Sequence, residues 1–405
     1  MSRGSDRPIA PRDGFLVRPL QSDLELERLR GALVPWGTPL ESLDPDLLFL
    51  IDFASAADAQ RAAASLADAP VQLTRLSGGQ RTTLLLRGTR KVLASLRATE
   101  PPALALRLRE AATRTGRDAP RLVLPDRTLV LDRPHIMGIV NVTPDSFYDG
   151  GRYADAGRAV GHALDLVGEG ADIVDIGGQS SRPGSQEVSA AEELRRVLPV
   201  VQAVAKAARV PISVDTSRAE VACACADAGA TILNDIRGLR GEDALIELAA
   251  KRGLGAILMH MRGTPATMQT DLAYDDLMGD ILWYLGGSVR LALEGGVGSE
   301  SLSIDPGIGF GKSADQNLEI LRRLHEFSGL GLPITVGASR KSFIGQTLDR
   351  PADDRILGTH ATTALAAAGG AHILRVHDVK ETRDVARMAH AIARAGGPTK
   401  GSGVT

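Results

Sequence analysis

His135-Ile-Met-Gly-Ile-Val-Asn-Val-Thr-Pro-Asp-Ser-Phe147 decides how this chain is read: an unbroken apolar run ends in an amide and opens into turn formers carrying a carboxylate and an aromatic ring. A strand that is apolar at successive positions is buried on both faces, as in a parallel sheet covered by helices. The same grammar returns in seven later segments: Asp172-Ile-Val-Asp-Ile-Gly-Gly178, Pro211-Ile-Ser-Val-Asp-Thr216, Thr231-Ile-Leu-Asn-Asp-Ile236, Gly255-Ala-Ile-Leu-Met-His-Met261, Ser301-Leu-Ser-Ile-Asp-Pro306, Pro333-Ile-Thr-Val-Gly-Ala-Ser339 and His372-Ile-Leu-Arg-Val-His-Asp378.

The stretches between these runs have helical spacing. Ser189 with Glu192 three places on starts a capping box ahead of Leu194, Val197, Leu198, Val201 and Val204, and Pro199 would kink that helix without ending it. Ser313 and Gln316 open another ahead of Leu318, Leu321 and Leu324. Eight strand-helix units in about 265 residues make a TIM (β/α)8 barrel of α/β class, whose site sits on the loops after the strands' C-terminal ends. Polar residues fall at those ends: Asn141, Gln179, Asp215, Asn234, His260, Asp305, Ser339 with Lys341, and Arg375 with His377. One Asp or Asn at a strand end is most often a cap or turn residue, but recurrence on one face of eight strands points to a site.

Several strings resemble the motifs of the dihydropteroate synthase family. They are Asn141-Val-Thr-Pro-Asp-Ser-Phe147, Gly177-Gly-Gln-Ser-Ser-Arg-Pro-Gly184, Ser213-Val-Asp-Thr216, Asn234-Asp235, Met259-His-Met-Arg-Gly-Thr-Pro265, Asp305-Pro-Gly-Ile-Gly-Phe-Gly-Lys312, Ser339-Arg-Lys-Ser342 and Arg375-Val-His-Asp378. The resemblance covers roughly residues 130 to 396, in the family's order. It implies condensation of 6-hydroxymethyl-7,8-dihydropterin diphosphate with p-aminobenzoate, giving 7,8-dihydropteroate and diphosphate.

By resemblance, Asp215, Asn234 and Asp305 read the pterin edge, Ile236 and Met261 line its pocket, and Lys341 lies against the ring. Unpaired polar groups would reject ring systems lacking that edge. Arg375 and His377 take the diphosphate beside Asn141, a ligand of the accompanying Mg2+, so that Arg375 and Lys341 serve opposite ends of one substrate. Asp149, Asp215, Lys341 and Arg182 are the implied catalytic residues, and Phe147, Ser181, Arg182, Pro183 and Ser339 shape the p-aminobenzoate pocket. Gln179 stands where the family usually has Glu, Ser181 where Thr is common, Tyr148 where Ser is usual, and Arg218 where Lys is frequent. Ser181 keeps the hydroxyl and loses a methyl, so retained activity with altered sulfonamide affinity is expected. The family pairs through its last helices, and Val385, Met388, Ala389 and Ile392 give the helix Val379 to Ala395 an apolar face, so a homodimer is expected.

Two other functions share part of the pattern. A methyltetrahydrofolate-type methyltransferase would use the pterin carboxylates, but needs neither the Ser-Arg-Pro-Gly loop nor a diphosphate corner. A catalytically altered, pterin-binding paralogue would be marked by Gln179 and Tyr148. Gly307-Ile-Gly-Phe-Gly-Lys-Ser313 resembles a phosphate loop, but Pro306 occupies the place of its first glycine, and a flexible loop is expected.

A net charge of -2 from 47 basic and 49 acidic residues gives no electrostatic case for nucleic acid or an anionic membrane. No apolar run reaches a membrane span and Met1 to Gly14 lacks an apolar signal core, so a cytoplasmic protein is expected. Two cysteines fit a reducing compartment, and Cys223 and Cys225 would point to different faces of one helix. Residues 1–14 read as a disordered leader, 397–405 as a disordered tail, and 15–128 as a small accessory α+β domain. In that domain Asp46–Asp52, Val71–Arg75, Thr82–Arg87 and Arg121–Leu124 read as strands, Ala56–Ala67 and Ala103–Thr113 as helices, and its charged residues form no assignable constellation.

Overall fold

The computed structural model describes residues 15–20, 47–67, 72–76, 82–88, 119–142, 152–181, 184–185 and 187–395. Near the N-terminus, β1 (Phe15–Leu20), β2 (Leu47–Phe53), β3 (Gln72–Leu76) and β4 (Thr82–Gly88) form an antiparallel sheet in the order β1-β2-β4-β3. Helix α1 (Ala56–Ser65) starts where the Ser55 side chain accepts the Asp58 N–H, and packs on β2 and β4. The strand β1 adds to the strands expected from sequence, and the helix expected at Ala103–Thr113 lies outside the described residues.

Eight parallel strands follow: β7 (His135–Asn141), β8 (Ile173–Gly177), β9 (Ile212–Asp215), β10 (Ile232–Asp235), β11 (Gly255–Met259), β12 (Leu302–Asp305), β13 (Thr335–Val336) and β14 (Ile373–Val376). Each pairs with its sequence neighbour from β7 to β12, and β14 returns to pair with both β13 and β7. The β12–β13 seam closes through a parallel bridge between Ile304 and Ile334, with the Ile304 N–H on Pro333 O at 2.9 Å. Pro333 has no N–H to return, and the Ser303 hydroxyl bridges instead, 3.0 Å from Pro333 O and 2.8 Å from Thr335 Oγ1. The result is the expected barrel, preceded by a small α+β region.

Around it run α2 (Arg152–Glu169), α3 (Ala190–Ala207), α4 (Ala219–Asp227), α5 (Asp243–Arg252), α6 (Leu277–Glu294), α7 (Ala314–Arg322), α8 (Ser342–Leu348), α9 (Ile356–Ala368) and α10 (Val379–Arg394). Helix α3 passes through Pro199 and buries Val197, Val200, Val201 and Val204, so Val200 takes the fully buried place expected of Leu198. Ser313 and Gln316 make the reciprocal capping box that opens α7. On α4, Cys225 is buried and Cys223 partly exposed, as their spacing requires. No described helix is long and apolar enough to cross a membrane.

The hairpin of β5 (Arg121–Val123) and β6 (Thr128–Val130) plugs the barrel's N-terminal end. Leu122, Leu124 and Leu131 pack there against Met137, Ile173, Ile232, Ile257 and Ile373. The segment Arg121–Leu124, grouped from sequence with the accessory domain, thus packs into the barrel. At Gly255 a Cβ would lie 2.5 Å from the end of the Leu124 side chain, so a larger residue would have to push the plug's leucine aside. On α9 and α10, which pack on each other, the side chains of Leu357, Leu365, Met388 and Ile392 stay exposed. Val385 and Ala389 are half-buried.

Candidate active site

Side chains two apart on a strand share a face, and that period builds the site. Ile173, Ile232 and Ile373 lie in the plugged end. Two residues further on, the same strands carry Asp175, Asn234 and Arg375. The Arg375 guanidinium donates from Nε to Asp175 Oδ2 at 2.6 Å and from Nη2 to Asp215 Oδ2 at 2.8 Å. The Asn234 amide donates to Asp175 at 3.2 Å. One cation therefore holds carboxylates of two strands, and the amide of a third completes the set. Asp175 is fully buried, whereas the side chains of Asp215 and Arg375 keep 15% and 19% of their surface open toward the mouth. Gly177 leaves room for Asp215, since a Cβ there would sit a tight 3.3 Å from Asp215 Cβ.

Burial pushes the Asp215 carboxyl up to about 7, with Asp175, Glu193 and Asp235 adding repulsion and Arg375 pulling the other way. Burial likewise raises Asp305, against Lys341 and the Gly307 N–H, which donates to Asp305 Oδ1 at 2.7 Å. Lys341 is brought down to about 7 by desolvation, with Asp305 opposing. Its Nζ donates to Ile308 O and stands 4.4 Å from the centre of the Phe310 ring, a cation-π contact. Phe310, Met259, Met261 and Met268 form one buried apolar wall, with Ile236 against it. A planar ring entering here meets an apolar face on one side and buried acceptors and donors on its edge.

Ser339 and His377 meet at 2.9 Å between Oγ and Nδ1, joining the seventh and eighth loops, and Arg340 with Asp378 makes a second tie at 2.9 Å. Arg340 occupies the left-handed region at φ 57°, where its N–H bonds Thr359 Oγ1 at 3.0 Å. Asn141 sits half-buried at the end of β7, paired in register with Gly177. Among the described residues no group of three or more His, Cys, Asp or Glu is placed to hold a metal. One amide oxygen at the mouth still suits a hard cation that takes its other ligands from phosphate and water.

Asp175 is absent from the strand-end residues named from sequence, because it lies one inward position deeper. A carboxylate inside a buried strand needs a partner, and that was the available signal. Lys312 is likewise not at a strand end, and its buried Nζ reaches His260 Nδ1 at 2.9 Å, Gly307 O at 3.0 Å and Phe310 O at 2.9 Å. These three contacts tie down the 305–312 loop, which was expected to be flexible. Gly307 is required there, because a Cβ would fall 1.9 Å from His260 O. Arg375, expected at the diphosphate end alone, is bonded to Asp215, the carboxylate expected at the pterin edge. His372 and His135 have structural partners: His372 Nδ1 accepts the Ile334 N–H at 3.0 Å, and His135 Nδ1 lies 3.0 Å from Arg133 O. Ser181 is half-buried, and Phe147, Tyr148, Asp149, Arg182 and Pro183 lie outside the described residues.

Residues 137–377 match the model of the pterin binding enzyme family. Dihydropteroate synthase of Escherichia coli K12 is 47% identical over 275 residues, 68% of this chain and 97% of that protein. The chain belongs to the dihydropteroate synthase family of pterin-binding enzymes. The dihydropteroate synthase of Bacillus subtilis 168 is 45% identical over 262 residues, 65% of this chain and 90% of the relative. Among solved structures, the Yersinia pestis dihydropteroate synthase in complex with a sulfonamide drug is 46% identical, with a TM-score of 0.65 over 68% of this chain and all of that one. The Xanthomonas albilineans dihydropteroate synthase with 4-aminobenzoic acid is 42% identical, with a TM-score of 0.64 over 68% of this chain and 98% of its own. The match to the pterin binding enzyme model begins at Met137 in β7, so the N-terminal sheet lies outside it.

Proposed function

We propose that this chain condenses 6-hydroxymethyl-7,8-dihydropterin diphosphate with p-aminobenzoate, releasing diphosphate and forming 7,8-dihydropteroate. The observation that carries the proposal is the buried set Asp175, Arg375, Asp215 and Asn234 at the mouth of a barrel whose family is that of the synthases. Asp215, Asn234 and Asp305 take the hydrogen-bonding edge of the pterin, and the wall of Met261 and Phe310 takes its face. Lys341 stands over that wall, able to donate to the ring's oxo side. The C–O bond to diphosphate breaks first, with the electron pair leaving on diphosphate. The buried carboxylates stabilise the cation left at the exocyclic carbon. The p-aminobenzoate nitrogen then forms the new C–N bond and loses a proton. Arg375 faces both events, since it is fixed by Asp175 and Asp215 yet open at the mouth.

Bound Mg2+ would neutralise the departing diphosphate, with Asn141 as its protein ligand beside phosphate oxygens and water. By family resemblance, Asp149 shields the cation and Phe147, Ser181, Arg182, Pro183 and Ser339 shape the p-aminobenzoate pocket, with His377 beside the diphosphate. The exposed Leu357, Leu365, Met388 and Ile392 support a homodimer formed through α9 and α10. A cytoplasmic setting goes with this reading, both cysteines being free thiols. Calorimetry of pterin diphosphate with and without Mg2+ tests the metal assignment. Asn141→Ala is expected to abolish the Mg2+ dependence of binding, and an unchanged dependence would overturn Asn141 as the ligand.

A further inference from the structure

The N-terminal sheet lies outside the family match, yet a buried cation of its first strand reaches into the barrel. Arg18 on β1 is 3% exposed and meets three carboxylates. Its Nε lies 2.6 Å from Asp52 Oδ2, on the neighbouring strand β2. Nη2 lies 3.0 Å from Asp276 Oδ2, and Nη1 lies 3.6 Å from Glu326 Oε2, both in the barrel. Asp52 is further held by the Thr83 hydroxyl at 2.6 Å, and Glu326 by Arg323 Nε at 2.5 Å. The backbones meet closely beside this cluster: a Cβ on Gly329 would fall 1.9 Å from Val17 O. A buried guanidinium that draws one carboxylate from its own sheet and two from the barrel is built for the docked arrangement.

Asp276 ends the segment that follows β11, and its other oxygen accepts the Gly279 N–H at 3.1 Å, capping α6. That segment begins in the site, where Met261 and Met268 join the apolar wall. On the way it touches two further active-site loops. Pro265 O accepts the Gly184 N–H of the second loop at 3.0 Å. The Tyr274 hydroxyl donates to Gly311 O at 2.9 Å, and Gln316 Nε2 donates to Leu272 O at 2.8 Å.

We propose that Arg18 is a positioning residue for catalysis: through Asp276 the N-terminal sheet fixes the far end of the 261–276 segment, and so the placement of the second loop against the pterin wall. The inference rests on the synthase reading of the pocket. Asp276→Asn in the full chain is the gentlest cut, because Asn still caps α6 while the charge facing Arg18 is gone. Hydrogen exchange across residues 263–275 is expected to rise at least tenfold while the strands of the N-terminal sheet keep wild-type exchange. The KM for p-aminobenzoate is expected to rise threefold or more, with kcat within twofold. Arg18→Lys, which keeps the charge and loses the fork, is expected to give a smaller rise in both. Unchanged exchange in 263–275 with unchanged KM would overturn the proposal, and so would exchange accelerated evenly over the whole barrel, which marks a pair that only stabilises the fold. If wild-type protein makes no dihydropteroate, the reading of the pocket fails, and the exchange measurement alone still decides whether Arg18 holds the segment.

Discussion

Arg375 bridges Asp175 and Asp215, and three measurable consequences follow from that geometry. Replacing it leaves the buried Asp175 and the partly open Asp215 without their cation, a loss of at most about 3–5 kcal/mol, the value for a fully buried pair. Arg375→Met is therefore expected to weaken bare 6-hydroxymethylpterin as well as its diphosphate ester, and calorimetry that finds the bare pterin unaffected would separate the two ends again. The pH dependence has a definite sign. Asp215 accepts from the pterin edge only as the carboxylate, so affinity for 6-hydroxymethylpterin should fall as pH drops through about 7, where burial has placed this group. Arg375 pulls Asp215 downward, so Arg375→Met should move that midpoint to higher pH, and a shift to lower pH would contradict the pairing. Asp215→Ala should cost about 1.5–3 kcal/mol of pterin binding, an order of magnitude or more in affinity. Asp215, Asn234 and Asp305 were legible in the sequence because each is polar at the end of an apolar run. Asp175 and Lys312 were not, since the first lies within a run and the second meets His260 from the neighbouring strand's loop, 52 residues away in the chain.

The strands and capped helices announced themselves through local signals, and local signals carry their own tests. Ser313 and Gln316 satisfy each other's backbone at the start of α7, so Ser313→Ala should cost about 1 kcal/mol and lower Tm by a few degrees. Gly307→Ala should cost more, because the residue adopts φ 69° and the new methyl would meet His260 O at 1.9 Å. Thermal denaturation of both variants checks the order, and an equal or reversed ranking would mean that the 305–312 loop relaxes without penalty. What sequence pattern could not supply was the partner of a short element. Thr335–Val336 is a strand of two residues, whose place depends on Pro333, Ser303 and the His372 ring. Likewise Arg121–Val123 reads as a strand anywhere, and only its Leu122 packed against Ile173 and Ile232 makes it the barrel's plug.

Across the whole molecule, eight consecutive strand-helix units made the barrel readable, because parallel pairing of neighbours follows from chain order. The docking of the N-terminal sheet was not readable, since it turns on Arg18 finding Asp276 258 residues away. The exposed side chains of α9 and α10 predict association: light scattering at micromolar concentration should give twice 42.6 kDa, and Ile392→Asp should return it to the monomer mass. A wild-type monomer at that concentration would remove the dimer. The most direct test of the chain as a synthase is diphosphate release by the purified protein, measured with pterin diphosphate and p-aminobenzoate together and with p-aminobenzoate left out. Release matched one for one by dihydropteroate, and dependent on both substrates, is the predicted result. No release above background with both substrates present, under conditions where the protein binds the pterin, would contradict it and leave a pterin-binding barrel without turnover.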